Sequence, residues 1–268
     1  MKGKIFKETL RRSWKGMIYL GISLAAMGFY IVLLIPDSKM LKQYGDLMDS
    51  FSWLVKGLAG GDASFLATPA GFLNYGVFSW TILITAGYAV FVGLAVTANE
   101  EDRGIMDILL SMPIPRWQVI VEKLLAYLVV IVVAIVIGFI PTWLTVSNSA
   151  MFKADVTFMR LVESHLNMLP LTLVTLCATV FLGTVVRRRS LAAALSVVFL
   201  IASFFIDMVA RMADGTNGLR VISMFNYYDS VHVMQNGLIW GNIAGLMTAA
   251  LILAAGSIWF FQRRDVGV

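Results

Sequence analysis

The run Leu124-Leu125-Ala126-Tyr127-Leu128-Val129-Val130-Ile131-Val132-Val133-Ala134-Ile135-Val136-Ile137-Gly138-Phe139-Ile140-Pro141-Thr142-Trp143-Leu144-Thr145-Val146 decides the fold. It lies within 29 uncharged residues between Lys123 and Lys153. A helix needs about 20 predominantly apolar residues to cross a bilayer, and this run supplies them without a charge. A membrane-spanning barrel strand shows weak alternation over a short segment, not a solid apolar run of this length. The stretch therefore predicts a transmembrane helix.

Five more charge-free runs flank it, of 21 residues (16–36), 37 (63–99), 23 (164–186), 17 (190–206) and 33 (230–262). They predict spans over Gly16–Pro36, Leu73–Ala98, the stretch between Glu163 and Arg187, the stretch after Arg189 (extendable through Met208–Ala210), and Ile239–Phe261. The expectation is an all-α polytopic membrane protein with six transmembrane helices in a single transmembrane domain, 1–268. Composition agrees: of 268 residues, 59% are hydrophobic and 14% charged, against about 45–50% and 25% in soluble domains. That excludes disorder. The single cysteine, Cys177, excludes an intramolecular disulfide framework and a CxxC metal site.

Basic residues stay on the cytoplasmic side of short loops. With the N-terminus inside, the inside segments hold fourteen Lys and Arg and the outside loops seven. Both termini are expected in the cytoplasm. Pro141 and Pro170 are expected to break the third and fourth spans. The first apolar run follows a basic stretch but lacks a small-x-small cleavage pattern, so an uncleaved anchor is expected.

Before the first span, Phe6, Leu10, Trp14 and Met17 share one helical stripe, and Lys4, Lys7, Arg11 and Lys15 share another. Residues 1–15 read as a basic interfacial elbow helix facing anionic headgroups. After the first span, 37–71 reads as an outer amphipathic loop. Its stripe is Leu41, Tyr44, Met48, Phe51 and Val55, and Gly57 and Gly60-Gly61 end it before Pro69 and Gly71.

The loop 99–117 is unusual for a cytoplasmic one, because through Lys123 it holds five acids to three bases. Asn99 is suited to cap a helix whose first turn is acidic. Ile105, Ile108, Leu109 and Met112 line one face, with Arg103, Asp107 and Ser111 opposite, and Pro113 and Pro115 stop the helix. Such a short two-faced helix needs something to dock on.

The series Glu100-Glu101-Asp102-Arg103-Gly104, Asp107, Leu109-Leu110-Ser111, Pro113 and Arg116, with Lys123 opening the next span, resembles the coupling helix of ABC-2 type permeases, the membrane subunits of ATP-driven exporters. The stretches Gly60-Gly61-Asp62, Thr68–Leu73, Asn226–Asp229 and Phe261–Asp265 resemble a bacterial subgroup of that family. The resemblance implies ABC ATPase subunits docking on Glu100, Glu101, Arg103, Gly104, Asp107, Leu110, Pro113 and Arg116. It also implies a second permease subunit, as homodimer or heterodimer, and a bacterial cytoplasmic membrane. The family's stretch between the last two spans often dips back into the membrane, and Met208–Gly237 is suited to that.

The chain is not expected to be an enzyme or to hold a cofactor. No GxxxxGK[ST] phosphate loop occurs in it, so ATP and Mg belong to the partner. His165 and His232 lack a nearby carboxylate or thiol cluster in sequence, which makes a weak case for a metal. Asp207 and Arg211, four apart, read as a helical ion pair or as an outer gate. Gly241, Gly245 and Ala249 allow close helix approach. The expected cargo is hydrophobic or amphipathic (drug, lipid or peptide), with no nucleic acid involved. A secondary transporter without an ATPase is the alternative; it should show buried ionisable groups or matched broken helices in related halves.

Overall fold

The computed structural model describes residues 3–35, 37–51, 53, 57, 63–98, 115–186, 188–212 and 217–263. Its elements in order are α1 (Lys4–Leu34), α2 (Ser38–Asp49), α3 (Ala63–Leu66), α4 (Pro69–Leu73), a π-helical turn (Asn74–Phe78) and α5 (Ser79–Val96). There follow α6 (Arg116–Asn148), α7 (Ala150–Asp155), α8 (Phe158–Val185), α9 (Arg189–Met212), two 3₁₀ turns (Asn217–Ile222 and Met224–Tyr227), α10 (Ser230–Asn236) and α11 (Trp240–Arg263). Six helical stretches are long and apolar enough to cross a membrane: α1, the continuous Pro69–Val96, α6, α8, α9 and α11. The six expected spans are all present. Gly3 and the end of α11 lie at one end of the bundle, since Gly3 bonds to the start of α6 and Phe260 packs on Phe181 near the end of α8. This is called the termini end below, and the opposite one the far end.

Apolar burial alone does not hold helices together in lipid, because the tails are as apolar as leucine; close packing and polar contacts do. The seam between α1 and α6 works by notches. Ile137 fills the space beside Gly21, Thr142 that beside Gly28, and Leu24 that beside Gly138. The seam between α5 and α8 works by hydroxyls and small residues. Thr81, Thr85, Thr172, Thr175 and Thr179 are all buried. Each donates to a carbonyl one turn earlier, and Thr172 reaches Thr85 at 3.3 Å across the seam. Gly93 receives Thr179, and Gly183 receives Thr97.

Three expectations need correction. Residues 4–15 and the first span form one unbroken helix, because no proline or capping residue interrupts the chain at Lys15. Pro141 and Pro170 lie inside continuous helices. Near Pro141, two hydroxyls bond to helix carbonyls one turn back: Thr142 donates to Gly138 O at 2.9 Å and Thr145 to Pro141 O at 2.8 Å. The amphipathic helix of the 37–71 loop stops at Asp49, where Phe51 N turns back to Met48 O, and Phe51 is 47% exposed. Of its stripe, Leu41 is buried and Tyr44 packs edge-on against Phe72. Met48 packs on Leu66. Val55 lies outside the described residues. Burial, with Tyr75 near, pushes the Tyr44 phenol up to about 12, so it stays neutral.

The second span starts on a doubly capped helix end. Thr68 Oγ1 accepts from Gly71 N at 3.1 Å, and Asp155 Oδ2, from α7, accepts from Ala70 N at 2.9 Å. Two oxygens thus satisfy orphan donors at the positive end of the helix.

Candidate functional site

At the termini end, Glu100, Glu101, Arg103, Gly104, Asp107, Leu110 and Pro113 lie outside the described residues. The loop that contains them is bracketed by Val96, which ends α5, and Arg116, which opens α6. Arg116 and Trp117 therefore belong to the third spanning helix, not to the loop. Two further residues that the sequence reading used only as charges stand out here. Glu122 and Lys123 are 8% and 3% exposed. Glu122 accepts from Gly3 N at 2.8 Å and Phe6 N at 3.0 Å, and Gln118 also donates to it. Lys123 Nζ donates to Val96 O at 2.8 Å. The signal for them was two adjacent opposite charges opening the most apolar run of the chain.

At the far end, Asp207 and Arg211 make the expected helical pair at 2.7 Å, with their side chains only 9% and 13% exposed. Arg220, from the first 3₁₀ turn, reaches the other Asp207 oxygen at 3.3 Å. One carboxylate thus ties the return segment to α9. Beside it opens a small cleft lined by Ser79, Phe204, Asp207, Arg211, Phe225 and Tyr228, among others.

The return segment runs deep. Ser223 donates to Ser203 O at 2.6 Å, and Met224 N donates to Ser203 Oγ at 2.9 Å. Ser203 lies nine residues before Met212, roughly 13 Å below the far end at helical rise. Thr175, near the middle of α8, donates to the Met224 sulfur at 3.7 Å. Non-helical backbone survives at such depth only where protein satisfies its polar groups. Here Ser203 and Ser223 serve Met224 N and Phe225 N. Tyr228 OH donates at 3.1 Å to Phe78 O, at the end of the π-helical turn. Replacing Tyr228 with phenylalanine removes this bond and leaves a buried carbonyl without the hydroxyl. We expect a loss of about 1 to 3 kcal/mol, read as a lower midpoint of thermal unfolding of the purified chain. An unchanged midpoint would show that the bond contributes nothing.

His165 is 6% exposed, held edge-on between Phe78 and Phe139, with Nδ1 2.8 Å from Leu161 O. It is a packed core residue. His232 is exposed. No group of three metal-ligating side chains occurs among the described residues. Cys177 is buried. Gly241 and Gly245 face open space in this chain, with nothing within 4 Å of an added Cβ.

Six apolar helices, with charge gathered at the two ends and hydroxyls between, define an all-α polytopic membrane protein. The sequence model described as ABC-2 family transporter protein matches residues 10–266, and the chain belongs to that family. No curated protein matches it. Membership makes the chain a membrane component of an ABC transporter, a multi-pass protein whose role is transport.

Proposed function

We propose that the chain is the permease subunit of an ATP-driven exporter in a bacterial cytoplasmic membrane. Its termini end faces the cytoplasm, where a separate ATPase subunit docks on the loop 99–117 and hydrolyses ATP with Mg. The observation that carries this is the family match over nearly the whole chain, set beside a sequence with no phosphate loop of its own. Two permease subunits, identical or not, enclose the path. The seam between α5 and α8 carries the buried hydroxyls of Thr81, Thr85, Thr172 and Thr179, which suits a hydrophobic or amphipathic cargo better than a tightly bound ion.

The test is purification from the native membrane under mild conditions. A stoichiometric ATP-binding protein should accompany the chain. Its recovery should fall at least about tenfold when Asp107→Arg and Leu110→Glu are combined, as expected for central contacts of an interface. If no nucleotide-binding protein appears even after cross-linking, the chain is a self-sufficient secondary transporter and this reading is wrong.

A further inference from the structure

Helix α1 begins without a cap of its own. Gly3 sits at its N-cap position with φ 82°, no side chain caps it, and its first turn holds no acid. Lys4 and Lys7 instead place positive charge at the positive end of the helix dipole. The missing anion comes from 119 residues away: both oxygens of Glu122 are bonded to α1 amides. Helix α5 has the mirror-image deficiency. No basic residue lies in its last turn, and its C-cap Thr97 departs from regular geometry at φ −132°, ψ −67°. The missing cation is Lys123, bonded to the Val96 carbonyl.

We propose that Glu122 and Lys123 are positioning residues that join the termini ends of the first three spans into one mechanical unit. Adjacent positions on an α-helix point about 100° apart, so one turn of α6 reaches two neighbours at once. The carboxylate holds the positive end of α1 and the ammonium holds the negative end of α5. Val96 and Arg116 are also the two anchors of the loop assigned above to ATPase docking. A push on that loop is therefore delivered to three helices together. This part of the inference rests on the proposed permease function.

The test uses spin-label pairs in a Cys177→Ser background, in a lipid bilayer. One pair, at Lys7 and Trp117, reports the joint; the other, at Lys39 and Trp240, reports the far end. On the chain alone, the joint distance should be narrow in the parent and broadened in Glu122→Ala. In Lys123→Met, a label pair at Phe91, exposed on α5, and Trp117 should broaden likewise, and Lys123→Arg should restore it. In the complex with its ATPase, a non-hydrolysable ATP analogue should change the far-end distance and leave the joint distance fixed. Glu122→Ala and Lys123→Met should retain the ATPase subunit and hydrolyse ATP, yet lose the far-end change. A purely structural role would not separate hydrolysis from that movement. Glu122→Gln, which keeps one acceptor oxygen, gives an intermediate reading if the alanine variant fails to fold.

Parent-like distances in both variants overturn the proposal, as does a joint distance that moves with nucleotide in the parent. If the parent binds no ATPase, the permease function fails, and with it the transmission of force. The joint itself is still decided by the distances on the chain alone.

Discussion

Replacing Gly28 with leucine should leave little or no folded chain in the membrane, and alanine should already lower the unfolding midpoint clearly. A Cβ at this position would lie 1.9 Å from Thr142 Oγ1, 2.8 Å from its Cβ and 2.9 Å from its Cγ2. The Thr142 Cβ does not move when the side chain turns, so no rotamer change clears the space. The helices must separate instead, and the neighbouring notches at Gly21 and Gly138 open with them. One added methyl in a tight core costs about 1–3 kcal/mol, and leucine adds three more carbons. Thr142→Ala should rescue Gly28→Ala in part, because it removes Oγ1 and Cγ2 but leaves the close Cβ. Gly241→Leu and Gly245→Leu should leave the unfolding of the isolated chain unchanged, since nothing lies near them. A Gly28→Leu chain that unfolds like its parent would show that the seam is not packed as described.

The second large effect belongs to Asp207. Its carboxylate meets two guanidinium groups, and replacing it with alanine takes this counter-charge from both Arg211 and Arg220. Breaking a buried pair by removing one partner costs about 3–5 kcal/mol. Arg220 is 28% exposed, so part of its charge is screened and the lower figure is the better guide. We expect Asp207→Ala to lose stability by about 3 kcal/mol, and Asp207→Asn to lose less. Arg211→Met together with Asp207→Leu should recover much of it, since replacing the whole pair with apolar side chains is often neutral. Denaturant titration of the four chains in detergent gives the values. Equal stability of parent and Asp207→Ala would reduce the cluster to a surface contact.

The spans were legible because each needs only a long enough gap between charges, and charge gaps survive in a single sequence. The helix ends were harder to place. The sequence reading assigned Lys15 and Arg116 to flanks, yet both continue the spanning helices, because lysine and arginine are good helix formers that extend past the hydrocarbon. The prolines misled for a related reason: in lipid the alternative to a helix is an unsatisfied backbone, so the helix persists. The Asp207–Arg211 pair could be read from its spacing of four. The third member, Arg220, could not, since it lies thirteen positions further on, beyond the end of α9, where helical spacing no longer applies. Glu122 and Lys123 were visible as charges but silent as contacts, because their partners are backbone atoms of helices far away in sequence.

The return segment between α9 and α11 has a consequence for biogenesis. The hydrogen-bond partners that hold it deep in the bundle precede it in the chain: Phe78, Thr175 and Ser203. A ribosome delivers those partners first, so the segment can seat itself as soon as it leaves the insertion machinery. The start of α1 is in the opposite position. Its amides wait for Glu122, and the first helix to be synthesised is not anchored until the third has arrived.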